Sequence, residues 1–266
     1  MNRRWDFTAL EFKVLCENLR AGELPDPFTF TTAIRYAEEF EAETHRVLRA
    51  LRDRSDPDLE DLADCVAKPD VQVALEAWND DDFENPKERT RVLGLRRRAR
   101  GFVISQQHGE TLGHSTGFEV VECGPHAIGD AVLAHLPYAE TGREAPVPVL
   151  AAANLPVGGT DAFGSMISDN DDPDERDSAR RDAFFTVRAS RSGLLRVIQG
   201  RSKYGARGRI ETAMLWRDVP RDGRYAMLMS ETPVARGMGS EELAAWVAEQ
   251  VAEIMDRLER HREDEE

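Results

Sequence analysis

The sequence predicts a mixed α+β fold of 266 residues, in which strands followed by a helix occur twice. Four patterns carry this prediction. Arg209–Val219 alternates, with Ile210, Thr212, Met214 and Trp216 on one side, and Gly223–Met229 alternates again, with Tyr225, Met227 and Met229 on one face. Val71, Val73, Leu75 and Ala77 alternate up to Trp78, and a period of two marks strands. Near the C-terminus Leu243, Trp246, Val247, Val251, Ile254, Met255 and Leu258 form a broad stripe at helical spacing.

In chain order, Trp5–Thr8 reads as a short strand, and Phe12, Leu15, Cys16 and Leu19 follow helical spacing. Leu24-Pro25-Asp26-Pro27 interrupts the chain before a brief extended piece, Phe28–Phe30. A long helix is expected from Thr32, with Ile34, Ala37, Phe40, Thr44, Val47, Leu48 and Leu51 on its stripe. Asp56-Pro57-Asp58 opens the next helix, because Asp caps, Pro fits the first position and acids favour the first turn. After the Val71 strand comes a polar loop, Asn79–Glu88, with Phe83 in its middle. Val92–Arg98, Gly101–Gln107 and Phe118–Glu122 read as strands, followed by a helix holding Ile128, Val132, Leu133 and Leu136.

Leu194–Ile198, Ile210–Val219 and Arg224–Met229 repeat the strand series, and the last helix begins near Ser240 with Glu241 and Glu242 in its first turn. The Pro220-Arg221-Asp222-Gly223 turn joins two of these strands, since Pro presets φ and Gly tolerates φ > 0. The order suggests an internal pseudo-repeat, residues 1–157 and 183–266, with 158–182 between them. Gly158–Arg181 is rich in Gly, Ser and Asp and reads as a flexible acidic linker, or else as an adaptable contact surface.

The formal net charge is -15, which argues against generic nucleic-acid binding because a polyanion is repelled over most of the surface. The cations are mostly Arg, with Lys only at Lys13, Lys68, Lys87 and Lys203, as in proteins from GC-rich genomes. Cys16, Cys65 and Cys123 form no CxxC and read as free thiols, in keeping with a reducing compartment. Asp6, Glu11 and Lys13 interrupt any apolar region behind Arg3 and Arg4, so the start does not read as a signal peptide, and no run approaches a bilayer span. A cytoplasmic location is expected.

The residues offer little catalytic chemistry. His108, His114, Cys123 and His126 could supply two or three zinc ligands, and a zinc enzyme on His108, Cys123 and His126 is one alternative reading. However, Cys123-x2-His126 lacks a second close ligand pair, so no metal site is assigned. Gly200-x4-Gly205 begins like a phosphate-binding loop, yet Ala206 and Arg207 stand where Lys and Ser/Thr are needed. Ser190, Ser192 and Ser202 lie near Arg residues with no adjacent His. The Arg96, Arg97, Arg98 and Arg100 cluster allows a nucleic-acid-binding regulator as a further alternative, but only Phe102 among aromatics is close. Phe83, Trp216, Met227 and Met229 are candidates for a recognition patch; the competing fate of Trp216 and the methionines is the core.

WDFTALEFKVLCENL followed by LPDPFTF, the element PDVQVALEAW, CGPHAIGDAVLAHLP, GRSKYGARGRIETAMLWRDVPRDGRYAM and the closing helix together resemble EspG-type, ESX (type VII) secretion-associated proteins, from about Trp5 to Leu258. The resemblance implies a central, mainly antiparallel sheet with two helical bundles and two pseudosymmetric halves forming one EspG-like domain. It implies a cytosolic, actinobacterial chaperone without enzymatic activity or cofactor. Its partner would be the helical tip of a PPE protein in a PE–PPE heterodimer, or a related helical ESX substrate, kept soluble until secretion. Nucleic acid and stable membrane association are not implied, and a monomer or weak homodimer is expected.

The binding surface implied by the resemblance combines the sheet, a loop between early strands and the C-terminal bundle. On this chain the loop maps to Asn79–Glu88, with Asp81, Asp82, Phe83 and Glu84. The sheet contribution maps to Trp216, Met227 and Met229, and the bundle to the outer face of Ser240–Leu258. The acids of the loop would suit a partner with a basic tip.

Overall fold

The computed structural model describes residues 3–20, 24–54, 56–149, 173–202, 205–230 and 233–263. Ten strands form one antiparallel sheet: β1 Arg4–Thr8, β2 Val71–Asn79, β3 Thr90–Arg97, β4 Arg100–His108, β5 Ser115–Cys123, β6 Val147–Pro148, β7 Arg191–Gln199, β8 Glu211–Val219, β9 Gly223–Leu228 and β10 Val234–Gly237. Among the described residues six α-helices accompany them: α1 Ala9–Arg20, α2 Ala37–Asp53, α3 Pro57–Ala67, α4 Ile128–Leu133, α5 Pro173–Thr186 and α6 Ser240–Glu263. The strand order is β1-β5-β4-β3-β2-β7-β8-β9-β10-β6. Two meanders, β2–β5 and β7–β10, therefore meet back to back through the antiparallel β2–β7 pair, where Leu75 lies opposite Leu195. A local two-fold axis through that pair would exchange them.

The core forms on both faces of this sheet. Val71, Val73, Leu75, Leu195, Val197, Met214 and Trp216 point to one face and are covered by α4 and α6 through Ile128, Val132, Val247, Val251 and Ile254. On the other face Leu93, Leu95, Phe102, Ile104, Phe118 and Val120 meet Phe12 and Cys16 of α1, Val47 of α2 and Leu62 of α3. β2 lies in the middle of the sheet and is buried on both sides, so its run of small and branched apolar residues is continuous rather than strictly alternating. A third, smaller cluster holds Phe184 of α5 against Tyr225, Met227, Ala235 and Val147.

Local rules explain several boundaries. Asp56 caps α3 by accepting from Asp58 N at 3.1 Å. α2 begins at Ala37, not near Thr32: Thr32 Oγ1 accepts from Ile34 N at 3.1 Å, and this side-chain turn competes with helix. Phe28–Phe30 joins no ladder; it is pinned by packing of Phe28 on Phe12 and Phe118, at ring distances of 5.8 and 5.1 Å. Residues 158–172 of the expected linker lie outside the described residues. From Pro173 the chain is α5, because Phe184 docks on Tyr225 with ring centroids 4.9 Å apart and gives this otherwise polar segment an apolar anchor.

Candidate partner-binding face

The helices leave one region of the sheet open. On the α1–α3 side, the apolar core stops at β3 and Ala74 of β2, while the α5 cluster begins at β9. Between them lie β7 and β8. Leu194 faces Leu215 across the ladder, and Glu76 and Trp78 of β2 lie beside Leu194 and Ser192. Leu215 is 38 % exposed although it sits in the middle of a strand. A groove of about 460 Å³ opens here, lined by Trp78, Asp80, Phe185, Leu215, Arg217 and Met227 among others.

Arg217 packs along the groove wall, its guanidinium 5.0 Å from the Phe184 ring and 5.3 Å from Phe185. Burial lowers its pKa, partly opposed by the Asp80 carboxylate. This arginine also donates to the Val187 carbonyl, so it ties the end of α5 to β8.

The loop after β2 borders the open face and is built as a fixed structure. Asp80 accepts from Trp78 Nε1 at 3.1 Å and from Ser192 Oγ at 2.5 Å. Asp81 N donates to Asn79 Oδ1 at 2.8 Å, and Asn85 accepts from Lys87 N at 3.0 Å. The Phe83 ring stands edge-on to Trp78 at 5.9 Å and receives the Arg89 guanidinium at 4.4 Å. Phe83 nevertheless stays 52 % exposed, with Asp81, Asp82 and Glu84 exposed around it. Arg188 pairs with Asp81 at 2.7 Å and links the loop to the chain after α5.

The candidate residues on the sheet divide between core and surface. Trp216 is buried, on the opposite face from Leu215, with the Arg224 guanidinium 4.6 Å from its ring. Strand alternation places its ring there, on the side covered by α4 and α6. Met227 is 8 % exposed and forms part of the groove floor beneath α5. Met229, just beyond β9, is 64 % exposed. On the outer face of α6, Ala248 and Ala252 line a second groove against α4, with Arg96, His126 and Asp256 at its rim. Phe185, Val187 and Leu215 escaped the sequence reading. Phe184-Phe185 at the end of an acidic run was the available signal, while Leu215 required knowing which face α4 and α6 cover.

The two alternative sites come apart in three dimensions. His108 pairs with Ser115 at one end of the β4–β5 ladder, whereas Cys123 pairs with Gly101 at the other end. That separates them by the length of a strand, roughly 20 Å or more. Among the described residues no group of three His, Cys, Asp or Glu could hold a metal ion. In the arginine cluster, Arg97 pairs with Asp64 at 3.3 Å, and Arg100 with Asp58, Asp61 and Glu122 at 3.3, 3.1 and 3.0 Å. These two arginines are thus committed to α3 and β5 and unavailable to a phosphate backbone. Among the described residues no helix is long and apolar enough to cross a membrane.

Comparison with known proteins agrees with this architecture. No curated protein matches the sequence. Among solved structures, the chain is similar to the Mycobacterium tuberculosis type VII secretion system chaperone EspG5, determined in complex with a PE25–PPE41 dimer. The TM-score is 0.55 with 12 % sequence identity, over 96 % of each chain, which establishes a shared fold. The model of the EspG family matches residues 8–249, and with nine-tenths of its length so matched, the chain belongs to the EspG family.

Proposed function

We propose that this chain is a cytoplasmic secretion chaperone that binds a helical substrate of PE–PPE type and performs no chemistry on it. The observation that carries the proposal is the open part of the sheet, where Leu215 and Phe185 remain exposed beside a groove, next to a fixed loop that presents Phe83 among carboxylates. Large apolar side chains left exposed together mark a protein-binding surface. The fold neighbour, a type VII secretion chaperone in complex with a PE–PPE dimer, supports that kind of partner. In this reading Asp81, Asp82, Phe83, Glu84 and Met229 touch the partner. Met227 shapes the groove floor, and Trp216 acts from behind the sheet by holding β7 and β8. The two halves, 1–157 and 183–266, serve as one binding unit.

Co-expression with the PE–PPE pair of the same genome tests the proposal. A soluble ternary complex should co-elute on size exclusion, and Leu215→Glu should weaken it by about tenfold or more, because a charge then faces an apolar contact. A pair that is equally soluble alone and never co-elutes, or a complex indifferent to Leu215→Glu, would overturn it.

A further inference from the structure

Arg217 is a buried cation that the molecule leaves without a counter-charge in contact. It stands on β8 two residues after Leu215, so both side chains share the face that carries the open groove, and both line it. Arg217 is 8 % exposed, and its Nε is buried without a hydrogen-bond partner. A second guanidinium nitrogen donates to the Val187 carbonyl, and the Phe184 and Phe185 rings lie 5.0 and 5.3 Å from the guanidinium. None of these groups carries a full negative charge.

The acceptors around it are used elsewhere. Ser192 and Tyr225 lie opposite Arg217 across its two ladders. Ser192 Oγ donates to Asp80 at 2.5 Å, and the Tyr225 hydroxyl donates to Asp222. Asp80 also lines the groove, but its carboxylate accepts from Trp78 Nε1 at 3.1 Å and from Ser192, and it makes no ion pair with Arg217. Arg188, the other cation on the groove, pairs with Asp81 at 2.7 Å. A buried charge without a counter-ion is costly, and an apolar segment laid over the groove would remove what water still reaches it. A carboxylate on that segment offsets the cost through a charge-assisted hydrogen bond, which a neutral acceptor supplies only in part.

We propose that the partner's helix carries an Asp or Glu on an otherwise apolar face, and that this carboxylate enters the groove and pairs with Arg217. The inference rests on the reading of the open face as the substrate-binding surface. An acidic group then meets the groove while basic groups meet Asp81, Asp82 and Glu84 of the neighbouring loop. Opposite charges at two points fix the direction in which the helix lies and disfavour helices with the reverse pattern.

Calorimetric affinities of the purified chain for the PE–PPE pair of the same genome test this. Each exposed Asp and Glu of the PPE subunit is changed in turn to Asn or Gln. One such change should weaken binding to the wild-type chain by about tenfold or more. Arg217→Gln, which keeps a donor for the Val187 carbonyl, should weaken binding similarly. The two changes together should cost little more than either alone, because they remove the same pair. An arginine that only holds α5 against β8 would give additive losses instead. The substitutions in the partner leave this chain intact, so they decide the matter even where Arg217→Gln fails to fold. Binding that no carboxylate of the partner affects, additive losses, or self-association of the free chain that Arg217→Gln abolishes would each overturn the inference. A complex still sensitive to Leu215→Glu would in those cases preserve the reading of the face, whereas absence of any complex would overturn both.

Discussion

Arg98 and Arg221 occupy equivalent positions in the two halves of the sheet. Each sits in the turn between the second and third strands of its meander, β3–β4 and β8–β9, and each takes a left-handed backbone conformation, with φ 52 and φ 66. The two meanders thus correspond in strand order and in the backbone geometry of these turns. Neither position holds the glycine that such an angle favours.

At Arg221 the turn closes through Asp222 N to the Val219 carbonyl at 3.2 Å, with Pro220 before the left-handed residue, the arrangement of a type II turn. Arg221→Gly should stabilise the protein by about 0.5–1 kcal/mol, because the strain is removed while the hydrogen bond stays. The melting temperature, followed by circular dichroism, should rise by a few degrees; a fall would mean that the Arg221 side chain has a stabilising role of its own.

Asp218 and Arg224 form a buried ion pair beneath this turn. Asp218 accepts from Arg224 Nε at 2.7 Å and from its second nitrogen at 3.0 Å, and the guanidinium lies over the Trp216 ring. Arg224 is 1 % exposed, so Asp218→Ala would strand a buried cation and should cost about 3 kcal/mol. Urea unfolding measures the loss, and a cost below about 1 kcal/mol would show that water reaches the arginine.

Tyr225 should make stability depend on alkaline pH. Burial, then its hydrogen bond to the Asp222 carboxylate, pushes the phenol up from 10.0 to about 12, against a smaller opposing effect of the Glu144 N–H. Folding therefore favours the neutral phenol. Its contribution is fully present below pH 10 and is lost as pH rises through about 12. Tyr225→Phe should lower stability at neutral pH and flatten this alkaline limb; an unchanged limb in that variant would assign the dependence to another group.

Gly193 marks where two strands admit an indole. A carbon added there would meet the Glu76 carbonyl oxygen at 2.4 Å and the Trp216 ring at 2.5 Å. Gly193→Ala should displace Trp216, cost about 1–3 kcal/mol and change the tryptophan emission spectrum. An unaltered spectrum with native stability would show that the ring has room to move.

Much of the architecture was legible before folding. Alternation in Val71–Ala77 and Arg209–Val219, and the 3.6-residue stripe in α6, report burial directly, because a side chain's face follows from its position in the repeat. The missed parts have physical causes as well. β6 and β10 are too short, at two and four residues, to display a period. α5 is strongly polar, and its helix docks through Phe184 onto a tyrosine far along the chain. In the candidate site Phe83 was readable as an aromatic residue in an acidic loop that a core could not easily absorb. Trp216 was ambiguous, since alternation says which residues share a face but not which face is covered.

The sequence by itself determined the element types, the turn chemistry and the acidic character of the Asn79–Glu88 loop, all of which depend on neighbours a few residues apart. Only the tertiary structure decided that α4 and α6 cover the Trp216 side and leave Leu215 open, that Arg97 and Arg100 are spent on carboxylates of α3 and β5, and that His108 and Cys123 stand at opposite ends of a ladder. Those facts arise from pairings between distant segments, and local periodicity carries no record of the partner.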